Sequence, residues 1–469
     1  MNQLVTHPTV TLLQNELGAA VVSVDSDELD ACRLDKSGHR SASAPLAIVN
    51  AQTVADVQAT MRIATATGTP VVVRGAGTGL AGGAIADAGE IVLSTTRMTR
   101  ILEISEDDEL AVVEPGIINA HLNDALAAKG LWFAPDPASR AISTVGGNIA
   151  TNAGGLLCAK YGVTREAVLG LKIVLSDGRL MSLGHRTVKG VTGLDLVGLM
   201  IGSEGTLGVI VEATVKLRRL PQGQPVTIGA YFPTVEDAAR AASVITASGL
   251  RPAIMELLDP RAMQYIGEYL DVAVPAQSFL LVQADGEGAA AEAQGALAVI
   301  RSLGGDATLT VDTAEANRLL ALRRSFHPAM EARGTVLIED VCVPRSALPA
   351  MFHAIDDIAE RFGVTIATVA HAGDGNLHPN FVFDGSGGEG VPEVIWEAAH
   401  EMFLTALRLG GTLTGEHGVG LLKKRWLRDE LGDEQVDLQR DIKRVFDPSG
   451  ILNPGKLFSV EEEHSVLTE

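Results

Sequence analysis

The stretch Val369–Phe383, VAHAGDGNLHPNFVF, carries a histidine on either side of an Asp-Gly pair. Asp-Gly between two strand-like runs is a strong hairpin signal, and a two-residue type I′ turn centred on Asp374 and Gly375 sets His371 directly opposite His378. Opposed residues of an antiparallel pair have Cβ atoms about 5 Å apart, close enough for two imidazoles to bind one ion. Asn380, two residues on, projects from the same face. A structural histidine pair with no ion is the alternative. The run Thr414–Gly418, TGEHG, adds Glu416 beside His417. Two imidazoles and one carboxylate suit a divalent cation with open positions, and such ligands discriminate poorly between zinc and manganese.

A second chemistry is written in glycine. There are 50 glycines in 469 residues, above the usual share of about 7%, and they cluster. Arg74–Gly83, RGAGTGLAGG, follows a β-branched strand and spells GxGxxG at Gly77, Gly79 and Gly82. A Rossmann fingerprint needs a helix of about ten residues or more after its last glycine to hold the pyrophosphate. Only seven residues, GAIADAG, separate Gly82 from the next strand, so that reading fails in context. Converging backbone N–H groups in a nest fit better, with a tight ligand-free loop as the alternative. A second cluster leads from Pro135, Asp136 and Ser139 into Ser143–Gly155, STVGGNIATNAGG, and a third is Gly202–Ile210, GSEGTLGVI. Three such loops beside strands of one unit imply one long ligand on bare backbone, and a dinucleotide such as FAD has that extent.

The elements that must position these groups alternate strand and helix from Pro45 to Leu220. PQGQP, Pro221–Pro225, is the best linker. A second α+β unit follows, with strands at Val226–Phe232, Phe279–Ala284 and Val336–Val343 and a helix over Thr313–Met330, and the chain ends in helices, the last over Glu434–Phe446. The expected boundaries are 1–43 for an N-terminal helix and link, 44–220 for the FAD-binding domain, 221–410 for a substrate domain, and 411–469 for a segment returning to the flavin. The charge-free stretch Ala141–Ala159 is long enough to span a membrane but carries four glycines and two asparagines, so it reads as a loop. A net charge of −21 argues against nucleic-acid partners and anionic membrane surfaces. Three cysteines without a CxxC pair, and a start, MNQLVTHPTVTLLQNELG, without the pattern of a secretion signal, lead us to expect a reducing, cytoplasmic setting.

The order RGAGTGL, then PDP with GGNIATNAGG, then GSEGTLGVI, is similar to the FAD-binding domain of the vanillyl-alcohol oxidase superfamily. Residues 371–378 and 414–417 narrow the resemblance to the FAD-linked D-2-hydroxy-acid dehydrogenases, a group that holds D-lactate and D-2-hydroxyglutarate dehydrogenases and the glycolate oxidase flavin subunit. The likeness runs from about Pro45 to Phe458. It implies an α+β fold: a vanillyl-alcohol-oxidase-type FAD-binding domain, an α+β substrate domain with an antiparallel sheet, and a C-terminal helical segment. The FAD contacts it implies are Arg74, Gly75, Ala76, Gly77, Thr78, Gly79 and Leu80; Pro135, Asp136, Ser139, Gly146, Gly147, Asn148, Ala150, Thr151, Asn152, Gly154 and Gly155; Glu204, Gly205, Thr206, Gly208 and Ile210; and Asn453.

By the same resemblance His371, His378 and Glu416 are metal ligands and His417 is the base. The mechanism this implies is that the substrate's α-hydroxyl and carboxylate would chelate the metal, His417 would take the hydroxyl proton, and hydride would pass from Cα to flavin N5. LALRRSFHPAM resembles the family's substrate-arginine region, which maps onto Arg323, with His327 one turn onward and Asn380 as further substrate contacts. Members with covalent flavin usually have histidine where this chain has Thr78, so noncovalent FAD is expected. Hydroxyglutarate-specific relatives have lysine where this chain has Ile338, so a monocarboxylic, D-lactate-like acid is favoured over D-2-hydroxyglutarate. A noncatalytic flavin electron-transfer subunit and a metallohydrolase are the rival classes. The electron acceptor is unidentified, and a homodimer is the default.

Overall fold

The computed structural model describes residues 7–385 and 390–459, so the first six residues of the stretch read for a secretion signal lie outside it. The chain forms two compact units. The first comprises Met1–Gly154, Val163–Leu220 and Glu416–Glu469; the second comprises Gly155–Gly162 and Pro221–Gly415. Among the described residues no helix is long and apolar enough to cross a membrane.

In the first unit Ala47–Asn50, Ile91–Ser94 and Val71–Arg74 pair in parallel, with Val22–Ser23 antiparallel on the edge. Their continuous apolar runs suit strands covered on both faces. Thr53 and Asp56 form a capping box that starts the Val54–Thr67 helix, and left-handed Gly68 ends it. A separate antiparallel sheet has the order Ile101–Ser105, Leu110–Val113, Val209–Lys216, Val168–Val174, Leu180–Gly184. The stretch read as a loop, Ala141–Ala159, instead contains the short helix Val145–Thr151 and the start of another, Cys158–Tyr161. Thr144 caps the first by accepting from the Gly147 amide at 3.2 Å. A Cβ on Gly146 would meet Pro115 Cβ at 2.5 Å, so this glycine serves close packing of the helix.

The second unit is built on one antiparallel sheet, ordered Asp306–Thr310, Val226–Phe232, Ser278–Ala284, Ile254–Leu258, Thr365–His371, Asn376–Phe383, Thr335–Ile338. Helices Pro260–Leu270, Thr313–Arg324 and Phe326–Glu331 pack Met263, Ile266, Leu320 and Phe326 on the face that carries Leu258 and Val369. Two expected elements are divided. The helix expected over Thr313–Met330 breaks at Ser325, because Pro328 has no N–H for the carbonyl of Arg324 and its ring crowds that oxygen. The strand expected over Val336–Val343 splits into Thr335–Ile338 and Val341–Cys342, which flank Pro379 on their shared partner. The Glu339 amide donates to Pro379 O at 3.0 Å, but proline cannot return the bond. The stretch Leu427–Phe446 is two helices that meet at Gly432, whose φ of 73° and ψ of 166° are not helical, and the second of them is the last helix expected from Glu434.

Candidate active site

The histidine hairpin forms, in a different register from the expected one. His371 pairs with Asn376 and His378 with Val369, so the turn holds four residues, 372–375, rather than two. The amides of Asp374 and Gly375 both donate to His371 O, at 3.2 and 3.0 Å, and Gly375 supplies the φ of 94° that closes the turn. The register differs by two residues, which preserves side-chain parity because strands alternate with period two. Both imidazoles therefore still project from one face, as diagonal neighbours. Their centroids are 5.1 Å apart at an interplanar angle of 85°, and both residues are buried. Asn380 shares that face, donates to His378 O at 2.9 Å and keeps a buried Oδ1 with no hydrogen-bond partner. Ile338 lies directly opposite it.

Sequence reasoning missed Glu256. It is fully buried at the centre of the strand IMELL, directly opposite His371 on the neighbouring strand, and an acid in an all-buried strand was the available signal. Its Oε1 lies 2.6 Å from His371 Nδ1 and its Oε2 accepts from Arg323 Nε at 2.5 Å. Burial pushes the Glu256 carboxyl up, but His371 and Arg323 outweigh that effect and hold it below its ordinary value. Arg323 is thereby placed on the same buried face. His327 is half-exposed and pairs with Glu331 at 3.1 Å.

The TGEHG segment is seated by Asp340, whose Oδ2 accepts the Thr414 hydroxyl at 2.5 Å and the Gly415 amide at 3.0 Å. Glu416 follows directly in the chain. One ligand atom each from His371, His378 and Glu416 lies within 4.8 Å of the others. Ligands about 2.1 Å from a tetrahedral ion stand about 3.4 Å apart, somewhat closer than the 4.8 Å within which these three atoms lie. His417 is half-buried with a side chain only 8% exposed, its Nε2 4.0 Å from Glu416 Oε1. Nitrogen and carboxylate donors of this kind fit zinc or manganese.

The glycine loops lie in the first unit, except Gly155, which begins the short excursion into the second. No helix stands between Val71–Arg74 and Ile91–Ser94, which disposes of the Rossmann alternative. Arg74 braces its own loop, donating to Ala84 O at 2.6 Å and Leu34 O at 3.0 Å, and its guanidinium fills the space where Gly77 would carry a Cβ. In the second loop Asn119 donates to Pro135 O and to Asn148, Asn148 donates to Ser143, Thr151 to Gly147 O, and Asn152 accepts from the Arg165 amide. In the third, left-handed Glu204 accepts the Val419 and Gly420 amides at 2.8 and 2.9 Å. Burial pushes its carboxyl up to about 7. Asn453 ties loops one and three together, donating to Gly83 O at 3.0 Å and Glu204 O at 2.6 Å.

Two oxygens beside these loops are buried without a hydrogen-bond partner, Asn453 Oδ1 and Asp35 Oδ2. Asp35, a residue the sequence reading did not single out, lies 3.8 Å from where a Cβ on Gly79 would stand. Acceptors waiting beside bare backbone fit a ligand that brings its own N–H and O–H groups, as isoalloxazine and ribose do.

Residues 45–184 match the family described as FAD binding domain, and residues 222–457 match FAD linked oxidases, C-terminal domain. The chain is 39% identical to the glycolate oxidase subunit GlcD of Bacillus subtilis over 91% of its length and 92% of the relative's. It is 38% identical to a D-lactate dehydrogenase of Archaeoglobus fulgidus, over 86% of this chain and 89% of that one. It is 34% identical to a D-2-hydroxyglutarate dehydrogenase of Xanthomonas citri pv. viticola, over 97% and 98%. Among solved structures, p-cresol methylhydroxylase with substrate bound superposes with a TM-score of 0.78 at 18% identity, covering 97% of each chain. Alkyldihydroxyacetonephosphate synthase does so with 0.74 at 19%, covering 96% of this chain and 84% of that one. At such low identity these two likenesses concern the fold, which is of the vanillyl-alcohol oxidase type.

Proposed function

Because the chain belongs to the FAD-linked oxidase family that includes glycolate oxidase subunits, D-lactate dehydrogenases and D-2-hydroxyglutarate dehydrogenases, we propose that it oxidises a D-2-hydroxy acid to the 2-oxo acid. FAD, when bound, supplies the hydride acceptor, and a zinc or manganese ion supplies a Lewis acid that makes the substrate hydroxyl more acidic. His371, His378 and Glu416 would hold the ion. The three glycine loops with Asn453 would hold the flavin, without a covalent bond at Thr78. His417 accepts the proton of the substrate hydroxyl. Arg323 uses Nε on Glu256, and its terminal Nη groups hold the substrate carboxylate. Ile338, opposite Asn380 on the histidine face, offers no charge for a second carboxylate, which favours a monocarboxylic acid such as D-lactate. Electrons then leave to an acceptor in solution or on a partner protein.

The observation that carries this reading is the convergence of His371, His378 and Glu416, with His417 next in the chain. A flavin subunit that only relayed electrons has no use for that set, and a metallohydrolase has none for the three loops. Anaerobic mixing with D-lactate, glycolate, D-2-hydroxyglutarate and L-lactate is the test. D-lactate is expected to bleach the visible flavin band fastest, and removal of the metal by EDTA is expected to stop the bleaching. A colourless protein, or bleaching indifferent to metal removal, refutes the mechanism. A strong preference for D-2-hydroxyglutarate refutes the role given to Ile338. Yellow colour retained in an acid-precipitated pellet refutes noncovalent flavin.

A further inference from the structure

Glu256 has no place in the chemistry above, yet it touches two of the groups that do. Its strand pairs with Thr365–His371 so that Glu256 stands opposite His371 itself. The bond to Nδ1 at 2.6 Å is therefore set by backbone register. The second oxygen meets Arg323, which arrives 67 residues later in the chain on the last turn of the Thr313–Arg324 helix and is only 16% exposed at its side chain. An isolated carboxylate in such a place would be costly, and here each oxygen has its own charged or polar partner.

We infer that Glu256 is a positioning residue that sets the tautomer of His371 for metal binding and, with its other oxygen, the orientation of the Arg323 guanidinium. The inference rests on the metal site proposed above. An ionised carboxylate only accepts hydrogen bonds, so the Nδ1 that meets it carries the proton. The lone pair of the neutral imidazole is then on Nε2, the nitrogen left to serve as ligand, and the ring cannot turn over without breaking a buried bond. Holding Arg323 by Nε in the same way presents the two Nη groups as a fixed fork. One side chain thus couples the geometry of a metal ligand to that of the carboxylate-binding arginine.

Glutamine at this position offers one acceptor and an NH2 group. If that NH2 met His371, Nδ1 would have to accept, which moves the proton to Nε2 and removes the ligand lone pair. The experiment is zinc titration of demetallated, FAD-loaded protein against a competing chelator, with bound metal counted by elemental analysis. Glu256→Gln is expected to weaken zinc binding about 10–100-fold with FAD content unchanged. Glu256→Asp, which keeps the charge, is expected to recover a part of that loss. Unaltered zinc affinity in Glu256→Gln, or equal losses in the two variants, overturns the inference. Should Glu256→Gln fail to fold, Glu256→Asp decides alone: weaker zinc binding with an unchanged metal-free Tm supports positioning, and wild-type affinity overturns it. A wild-type protein that takes up neither zinc nor manganese overturns the metal site itself, a result distinct from wild-type binding with an indifferent Glu256→Gln.

Discussion

Replacing Glu204 by glutamine is expected to flatten the pH dependence of the first unit's stability. Burial raises this carboxyl from 4.5 to about 7, against the pull of the Val419 and Gly420 amides and of Lys423. Below pH 4.5 the group is protonated in both folded and unfolded chains and contributes no slope. Between about 4.5 and 7 the folded chain keeps a proton that the unfolded chain has released, so stability falls as pH rises. Above about 7 both are ionised and the loss is complete. The gap of about 2.5 units corresponds to roughly 3 kcal/mol, with a slope approaching 1.4 kcal/mol per pH unit near pH 6. Glutamine never ionises but can accept from only one of the two amides, so it costs about 1–3 kcal/mol at pH 5. The wild-type and Glu204→Gln curves should therefore differ at pH 5 and converge above pH 7. Urea unfolding followed by flavin release from pH 5 to 8 measures this in the unit that carries Glu204. Parallel curves across that range would refute both the burial argument and its sign.

Two further substitutions probe the second unit and the link to Glu416. Asp259 is buried, which raises its carboxyl to about 7, and it accepts the Ala262 and Thr368 amides, each at 2.6 Å. Asp259→Asn should thus lose about 1–3 kcal/mol at pH 5, read by urea unfolding, with the deficit shrinking toward pH 8. A deficit that grows with pH would count against this. A Cβ on Gly154 would stand 2.5 Å from Glu416 Oε2 and 3.2 Å from Glu416 Cβ, and metal ligands tolerate displacements of only about 0.2 Å. Gly154→Ala should lower zinc affinity about tenfold or more with Tm nearly unchanged, whereas wild-type affinity would show that Glu416 is not a ligand.

The histidine hairpin was legible because Asp-Gly punctuates two apolar runs, and alternation forgave the error in turn length. Had the register differed by one residue, the two imidazoles would have pointed to opposite faces. The glycine clusters were legible, but the helix at Val145–Thr151 inside the second was not. Its cap is local, yet the packing that requires Gly146 comes from Pro115, 31 residues away in the chain. Pro328 was visible in the sequence as a breaker, and the single helix expected across it should have been divided on that ground, whereas Pro379 divides a strand that it meets only through pairing.

From the sequence alone came the histidine hairpin, the carboxylate beside His417, the three glycine clusters and the order in which they occur, since residue type and short-range periodicity are local properties of the chain. Tertiary structure alone decided which charges meet. Arg323, read as a substrate arginine, shares a buried acid with His371, and Glu204, read as a flavin contact, spends its carboxylate on two amides more than 200 residues downstream. Such pairings depend on sheet order and strand register, which are selected by the burial of whole apolar faces and leave no mark at the charged residue itself.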